Sequence, residues 1–338
     1  MKNILVIRYT AIGDVALTVP VIESLAESHP QYNIIVLTQP QFAPLFEFMP
    51  GNVTFMGVKH KEYNGFGGAR RLYKKITSKY KIDAVADLHG KLRTLLLDLM
   101  FKLHFVKVSV VRKERRKRNQ LIRLHNKKLE QLRPITELYV RTFNRLGIDF
   151  DIHFKSIYPE IKGNMKEIDQ IVGEKNGKWI GVAPFASSEG KVLPASTTEK
   201  VIAGLSQRGY RIFIFAFGEK ELAVARPWAE KYTGAELVTK ELGGLKGELN
   251  LISHLDMLIG MDSSNMHLAS CVGTPVVSVW GATHPYTGFL GYKQSINNAV
   301  QVDLPCRPCT IKGNRKCRYG DYRCMANISA EDILNKIK

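Results

Sequence analysis

The sequence predicts an α/β protein: two Rossmann-like, doubly wound domains facing a cleft. Three observations carry this. Apolar runs of strand length alternate with helix-patterned stretches along the chain, the rhythm of parallel sheets joined by crossover helices. That rhythm breaks once, over the polar and irregular residues 150–175, and then restarts. The length, 338 residues, suits two α/β domains of ordinary size. The expected division is 1–158 and 159–338, with the last helix free to pack back on the first domain.

The first half opens with an apolar strand over 3–9, the turn Thr10-Ala11-Ile12-Gly13-Asp14, and a helical pattern over 15–27. Neither Gly-x-Gly-x-x-Gly nor Gly-Lys-Ser/Thr occurs there, which excludes the dinucleotide fingerprint and the P-loop. Asp14 stands at a helix start. It is either a helix cap or a general base at the C-terminal edge of a parallel sheet. Further strands are expected over 33–38, 53–58, 82–88 and 106–111, with a glycine-rich bend and a basic helix over 63–80. His89, Lys91 and Arg93 emerge where the 82–88 strand stops, to bind an anionic acceptor or simply to solvate the loop. Residues 112–118 form the densest basic run, including Arg115, Arg116 and Arg118. It lacks the interleaved aromatics of a single-strand nucleic-acid surface and reads as an anion-docking segment. A helix over 134–146 closes this half.

The second half restarts with a strand over 179–184 and the polar turn Phe185-Ala186-Ser187-Ser188-Glu189-Gly190-Lys191. A helix over 197–208 and a strand over 210–217 follow, and Glu219 and Glu221 begin the next helix. Residues 256–281, DMLIGMDSSNMHLASCVGTPVVSVWG, read strand, tight turn, helix, turn, strand. Ser263, Ser264 and Asn265 can each cap the helix. Its start leaves backbone N–H groups free, and such a terminus favours anions, phosphate above all. His267 lies one turn in and can add a donor. The plainer reading is an ordinary capped helix.

The formal net charge is +18, which implies an anionic partner such as nucleic acid, an acidic lipid surface or a phosphorylated glycan. No apolar run approaches the roughly 20 residues of a membrane span, and the N-terminus reads as a buried strand rather than a signal peptide. Cys271 lies in an apolar helix. Cys306, Cys309, Cys317 and Cys324 cluster near the C-terminus. Without an export signal they are expected as thiols, and four in one loop could hold a structural zinc.

Four sites together resemble glycosyltransferase family 9, the heptosyltransferases of lipopolysaccharide core assembly. They are Gly13-Asp14-Val15 with Pro20, Lys191 with Pro194, the stretch Asp262 to His267, and Gly281 to Pro285. They follow the family's order across nearly the whole chain. The resemblance implies the GT-B architecture and inverting transfer of heptose from an ADP-activated donor without a catalytic metal. It makes Asp14 the general base on an N-terminal acceptor domain. It puts Lys191, Ser187, Asp262, Ser263, Ser264 and His267 at the donor, with Glu219 or Glu221 on the ribose. His89, Lys91, Arg93, Arg115, Arg116 and Arg118 would face a phosphorylated, lipid-linked acceptor. It implies a monomer working in the cytoplasm at the inner-membrane surface, with no nucleic-acid partner. The chain departs from the family pattern where Asp262-Ser263-Ser264 replaces Asp-Thr-Gly, where Leu193 replaces a tryptophan and where His284 replaces an aspartate. Another nucleotide-sugar enzyme of this fold, or a non-enzymatic polyanion binder, is the alternative.

Overall fold

The computed structural model describes residues 1–337. They form two compact units: residues 1–113 with 135–157, and residues 114–134 with the chain from Tyr158 onward.

In the first unit, β1 (Lys2–Ile7), β2 (Tyr32–Thr38), β3 (Val53–Gly57), β4 (Ile82–Asp87) and β5 (Lys107–Val110) form a parallel sheet. Its order is β3-β2-β1-β4-β5. Ile4, Leu5, Val6 and Ile7 are all buried, as expected of a central strand covered on both faces. The helices are α1 (Ile12–Ala16), α2 (Val19–Ser28), α3 (Gly65–Thr77) and α4 (Leu92–Leu103). In α3 the buried residues Gly68, Ala69, Leu72 and Ile76 recur at helical spacing, so one stripe meets the core and the basic residues stay outside. α5 (Arg115–Leu121) belongs to the second unit, and α6 (Ile135–Asn144) returns to the first.

The second unit holds β6 (Trp179–Ala183), β7 (Arg211–Ile214), β8 (Ala235–Leu237), β9 (Met257–Met261), β10 (Val276–Val279) and β11 (Ala299–Val300). All pairings are parallel, in the order β11-β10-β9-β6-β7-β8. Its helices are α7 (Asp169–Val172), α8 (Ala195–Gln207), α9 (Glu219–Lys231), α10 (Leu245–His254), α11 (Ser264–Cys271), α12 (Arg323–Ala326) and α13 (Ala330–Leu334).

Both sheets are doubly wound. The chain reverses its direction of strand addition between β1 and β4 in one, and between β6 and β9 in the other. Loops leaving the C-terminal ends of such strand pairs diverge and open a crevice, which is where α/β folds bind ligands. Asp14 and His89 follow β1 and β4; Lys191 and Asp262 follow β6 and β9.

Two details differ from the expected division. Residues 114–134 pack within the second unit, because their polar groups find partners there. Leu132 N–H donates to the Tyr286 carbonyl, and Lys127 Nζ donates to the carbonyls of Pro305, Arg307 and Pro308 at 2.6–3.1 Å. The last helix does not return to the first unit. α13 packs on α8, where Gly204 leaves room for Leu334 (an added Cβ would lie 2.5 Å from its Cδ1), and Ile333 is fully buried.

Candidate active site

In the first unit, Asp14 lies in the first turn of α1, with its side chain 15% exposed, and pairs with Nη2 of the buried Arg8. Arg8 Nη1 donates to the Leu88 carbonyl at 2.6 Å. One guanidinium thus ties the loop after β1 to the end of β4 and fixes the Asp14 carboxylate at the switch point. Asp87, which ends β4, is a second organiser. Its Oδ1 accepts from the N–H groups of His89 and Gly90, and its Oδ2 accepts from Thr94 Oγ1 at 2.6 Å. Asp98 is buried and hydrogen-bonded to Asp87; burial first, and the Asp87 charge second, raise its carboxyl well above the usual range. Two carboxylates this close cannot both ionise cheaply, so Asp98 keeps its proton beside Asp87.

His89 is expected on the surface and is buried instead, 1% exposed, with its ring edge-on to Tyr9. Burial, and then Arg8 and the nearby lysines, push its pKa down to about 3. It is a neutral wall rather than a cation for an anionic acceptor. Tyr9 also stacks with His60. Lys91 and Arg93 are exposed.

In the second unit, Lys191 Nζ lies 2.8 Å from Asp262 Oδ2 and 3.0 Å from its carbonyl. This joins the loop after β6 to the loop after β9. Ser263 is the N-cap of α11, yet its side chain makes no capping bond, and its Oγ is buried without a hydrogen-bond partner. The first-turn N–H groups of α11 therefore remain for a ligand. His267 lies one turn along the same helix and is 6% exposed. Ser187 is exposed beyond β6. Of the two acids after β7, Glu221 accepts from Phe217 N–H at 2.9 Å, whereas Glu219 is exposed at the start of α9.

Sequence reasoning misses the residue that braces the loop after β10, Arg307. It is 5% exposed, and its guanidinium donates to the carbonyls of Trp280, Gly281, Thr283 and Val302 and to Gln301 Oε1. Ala282 N–H donates to the Gly190 carbonyl at 2.8 Å, and its own carbonyl accepts from Cys309 N–H. The Gly281–Pro285 loop is thus clamped between the Lys191 loop and the cysteine loop. Gly281 has to be glycine there, since an added Cβ would meet Met325 Sδ at 2.2 Å and the Gly190 carbonyl at 2.5 Å. Gly313 packs on the stem of Lys191. The only sequence signal for Arg307 is its place between two cysteines, which points to metal chemistry instead.

The zinc expectation is not supported. Cys306, Cys309, Cys317 and Cys324 are free thiols that line one small cavity. Cys309 Sγ points to the Ala282 carbonyl and Cys317 Sγ to Asp321. Burial raises Cys309, and raises Cys324 to about 11. Among the described residues no group of three or more His, Cys, Asp or Glu is arranged to hold a metal ion. The loop's interactions are those of a brace.

The basic run is not one continuous surface. Lys113 belongs to the first unit and donates to the carbonyls of His89 and Gly90. Arg118, in the second, stacks over Phe289 at 5.4 Å. Arg115 and Arg116 are exposed on α5. His89, Lys91 and Arg93 therefore lie in a different unit from Arg115, Arg116 and Arg118.

Two doubly wound units, with a fixed carboxylate at one switch point and an anion-ready helix start at the other, fit a group-transfer enzyme. The comparisons make this specific. The family description "Glycosyltransferase family 9 (heptosyltransferase)" matches residues 69–320, and the chain belongs to that family; it is a glycosyltransferase. It is 30% identical over 295 residues to lipopolysaccharide heptosyltransferase 3 of Escherichia coli K12, covering 80% of each chain. Among solved structures it is similar to a family 9 glycosyltransferase from Veillonella parvula (TM-score 0.75, 20% identity, 99% of this chain and 96% of that one). It is also similar to E. coli heptosyltransferase WaaC with ADP-2-deoxy-2-fluoro heptose (TM-score 0.65, 16% identity, 92% and 97%). These likenesses show the GT-B fold.

Proposed function

We propose that this enzyme transfers heptose from ADP-heptose to a hydroxyl of a phosphorylated, lipid-linked lipopolysaccharide-core acceptor, with inversion at the anomeric carbon. The observation that carries the reading is the Lys191–Asp262 pair set beside an uncapped α11 start. A lysine, a helix terminus and a buried serine hydroxyl converge at one switch point, where a departing diphosphate needs positive charge and donors. The relative bound to an ADP-heptose analogue supports the choice of donor.

In this mechanism Asp14 takes the proton of the acceptor hydroxyl as it attacks the anomeric carbon. Arg8 keeps the carboxylate oriented. Lys191, His267, Ser187 and the N–H groups following Ser263 stabilise the leaving ADP, and Ser264 helps shape that turn. Asp262 positions Lys191. Glu219, exposed where Glu221 is engaged, takes the ribose hydroxyls. Lys91 and Arg93, and from the second unit Arg115, Arg116 and Arg118, attract acceptor phosphates. His89 stays in the first unit as a buried, neutral ring. The first unit, residues 1–113 with 135–157, serves the acceptor and the second serves the donor; the enzyme acts as a monomer in the cytoplasm, at the inner face of the membrane. No helix among the described residues is long and apolar enough to cross a membrane.

The test is a thermal-shift screen of nucleotide sugars followed by transfer assays. The proposal expects the largest stabilisation from ADP-heptose, ADP release only with a core acceptor, and a product of inverted anomeric configuration. Preferential binding of a uridine- or guanosine-linked sugar would move the enzyme to another donor.

A further inference from the structure

We propose that the α3–α4 face of the first unit is a docking surface for an anionic phospholipid bilayer. The proposal rests on the reading above that the acceptor is lipid-linked, and it assigns membrane contact to a specific surface.

The stretch 92–103, LRTLLLDLMFKL, is richer in leucine than an ordinary surface helix requires. Thr94, Leu97, Asp98 and Phe101 face inward and account for its packing. Leu96 and Met100 are half-buried, and the other four leucines stay outside. Leu92 is 84% exposed, Leu95 54%, Leu99 49% and Leu103 68%. At these spacings they form one stripe along the outer side of the helix. Phe105 continues it at 98% exposure, held out on a turn with φ of 59°, a backbone conformation that is uncommon for a bulky residue. Single exposed leucines are ordinary; a continuous stripe ending in a bare phenylalanine marks an interaction site.

The charge around the stripe selects the partner. α4 packs against α3, whose outward residues include Arg70 and Lys74. Lys79, Lys81, Lys102 and Lys107 continue the basic rim, and all six are exposed. Among the described residues 65–107 the only exposed acid is Asp83, since Asp87 and Asp98 are buried. A depression of about 550 Å³ lined by Tyr73, Lys79, Lys81 and His104 opens between the two helices. Apolar residues flanked by lysine and arginine are what a helix lying in a membrane interface presents: the leucines enter the headgroup–acyl boundary and the cations meet anionic headgroups. A second copy would bring two basic fields together and be repelled. A nucleic acid would answer the charge and leave the leucines unexplained.

The experiment uses the full-length protein and flotation with vesicles of phosphatidylcholine, with or without phosphatidylglycerol. Wild type is expected to float with the anionic vesicles, less so as salt rises, and not with neutral ones. Leu95→Gln/Leu99→Gln/Leu103→Gln should cut that binding about tenfold or more. Lys74→Glu/Lys102→Glu should weaken it and flatten its salt dependence. Both variants should keep the wild-type melting temperature and transfer to a deacylated, water-soluble acceptor. Failure of wild type to bind anionic vesicles, or undiminished binding by the leucine variant, would overturn the proposal. So would a wild-type dimer that the leucine variant abolishes, which would give the face to a second copy. Vesicle binding by an enzyme that transfers sugar to neither acceptor would sink the functional reading and leave the docking surface standing.

Discussion

Asp98 and Lys191 show how much of each site rests on one buried charge relation. Burial beside Asp87 raises the Asp98 carboxyl, so the folded protein holds a proton that the unfolded chain releases above the ordinary carboxylate range. The resulting stabilisation is fully present below the unfolded value and is lost as pH rises through the raised folded value. Asp98→Asn keeps the shape and can still donate to Asp87. Its melting temperature is therefore expected to decline less than wild type from mildly acid to mildly alkaline pH; parallel curves would refute the raised Asp98 carboxyl. Lys191 and Asp262 are both nearly buried, with side chains 11% and 6% exposed. Lys191→Ala leaves the carboxylate uncompensated, a change that costs about 3 to 5 kcal/mol. It should lower the melting temperature and weaken ADP binding together, as calorimetry on the same sample would show. Unaltered ADP affinity in a folded variant would remove Lys191 from the donor site.

At the scale of elements, the site is a set of loops locked to one another. Arg307 holds the loop after β10 through the carbonyls of Trp280, Gly281 and Thr283. Arg307→Leu leaves buried carbonyls unpaired at about 1–3 kcal/mol each. It is expected to destabilise the second unit and to raise the donor KM, with Asp14-dependent chemistry in the first unit intact. A variant with wild-type stability and KM would show the brace to be dispensable. The strand–loop–helix order is legible in the sequence because β1, β6 and β9 are largely apolar runs and the loops carrying Asp14, Lys191 and Asp262 follow them directly. Asp14 and Asp262 are readable for that reason. The burial of His89 is not, because it depends on Asp87 accepting from the His89 and Gly90 N–H groups and drawing the turn inward. Nor is the division of the basic run legible, since Lys113 and Lys127 bind carbonyls of different units. Arg307 is hidden by its own cysteines.

Over the whole molecule, the +18 charge divides into cations that brace loops and cations that face solvent. Arg8, Lys113, Lys127 and Arg307 are of the first kind; the rims of α3, α4 and α5 supply many of the second. In the proposed mechanism the reaction is divided between the two units: proton removal in one, leaving-group stabilisation in the other. The most direct measurement is a paired one on Asp14→Asn, recording heptosyl transfer to the core acceptor and ADP-heptose affinity in the same preparation. If Asp14 is the base, kcat falls about 10²- to 10⁴-fold, while donor affinity stays at the wild-type value. Near-normal turnover in the variant would reduce Asp14 to a partner for Arg8 and contradict the mechanism.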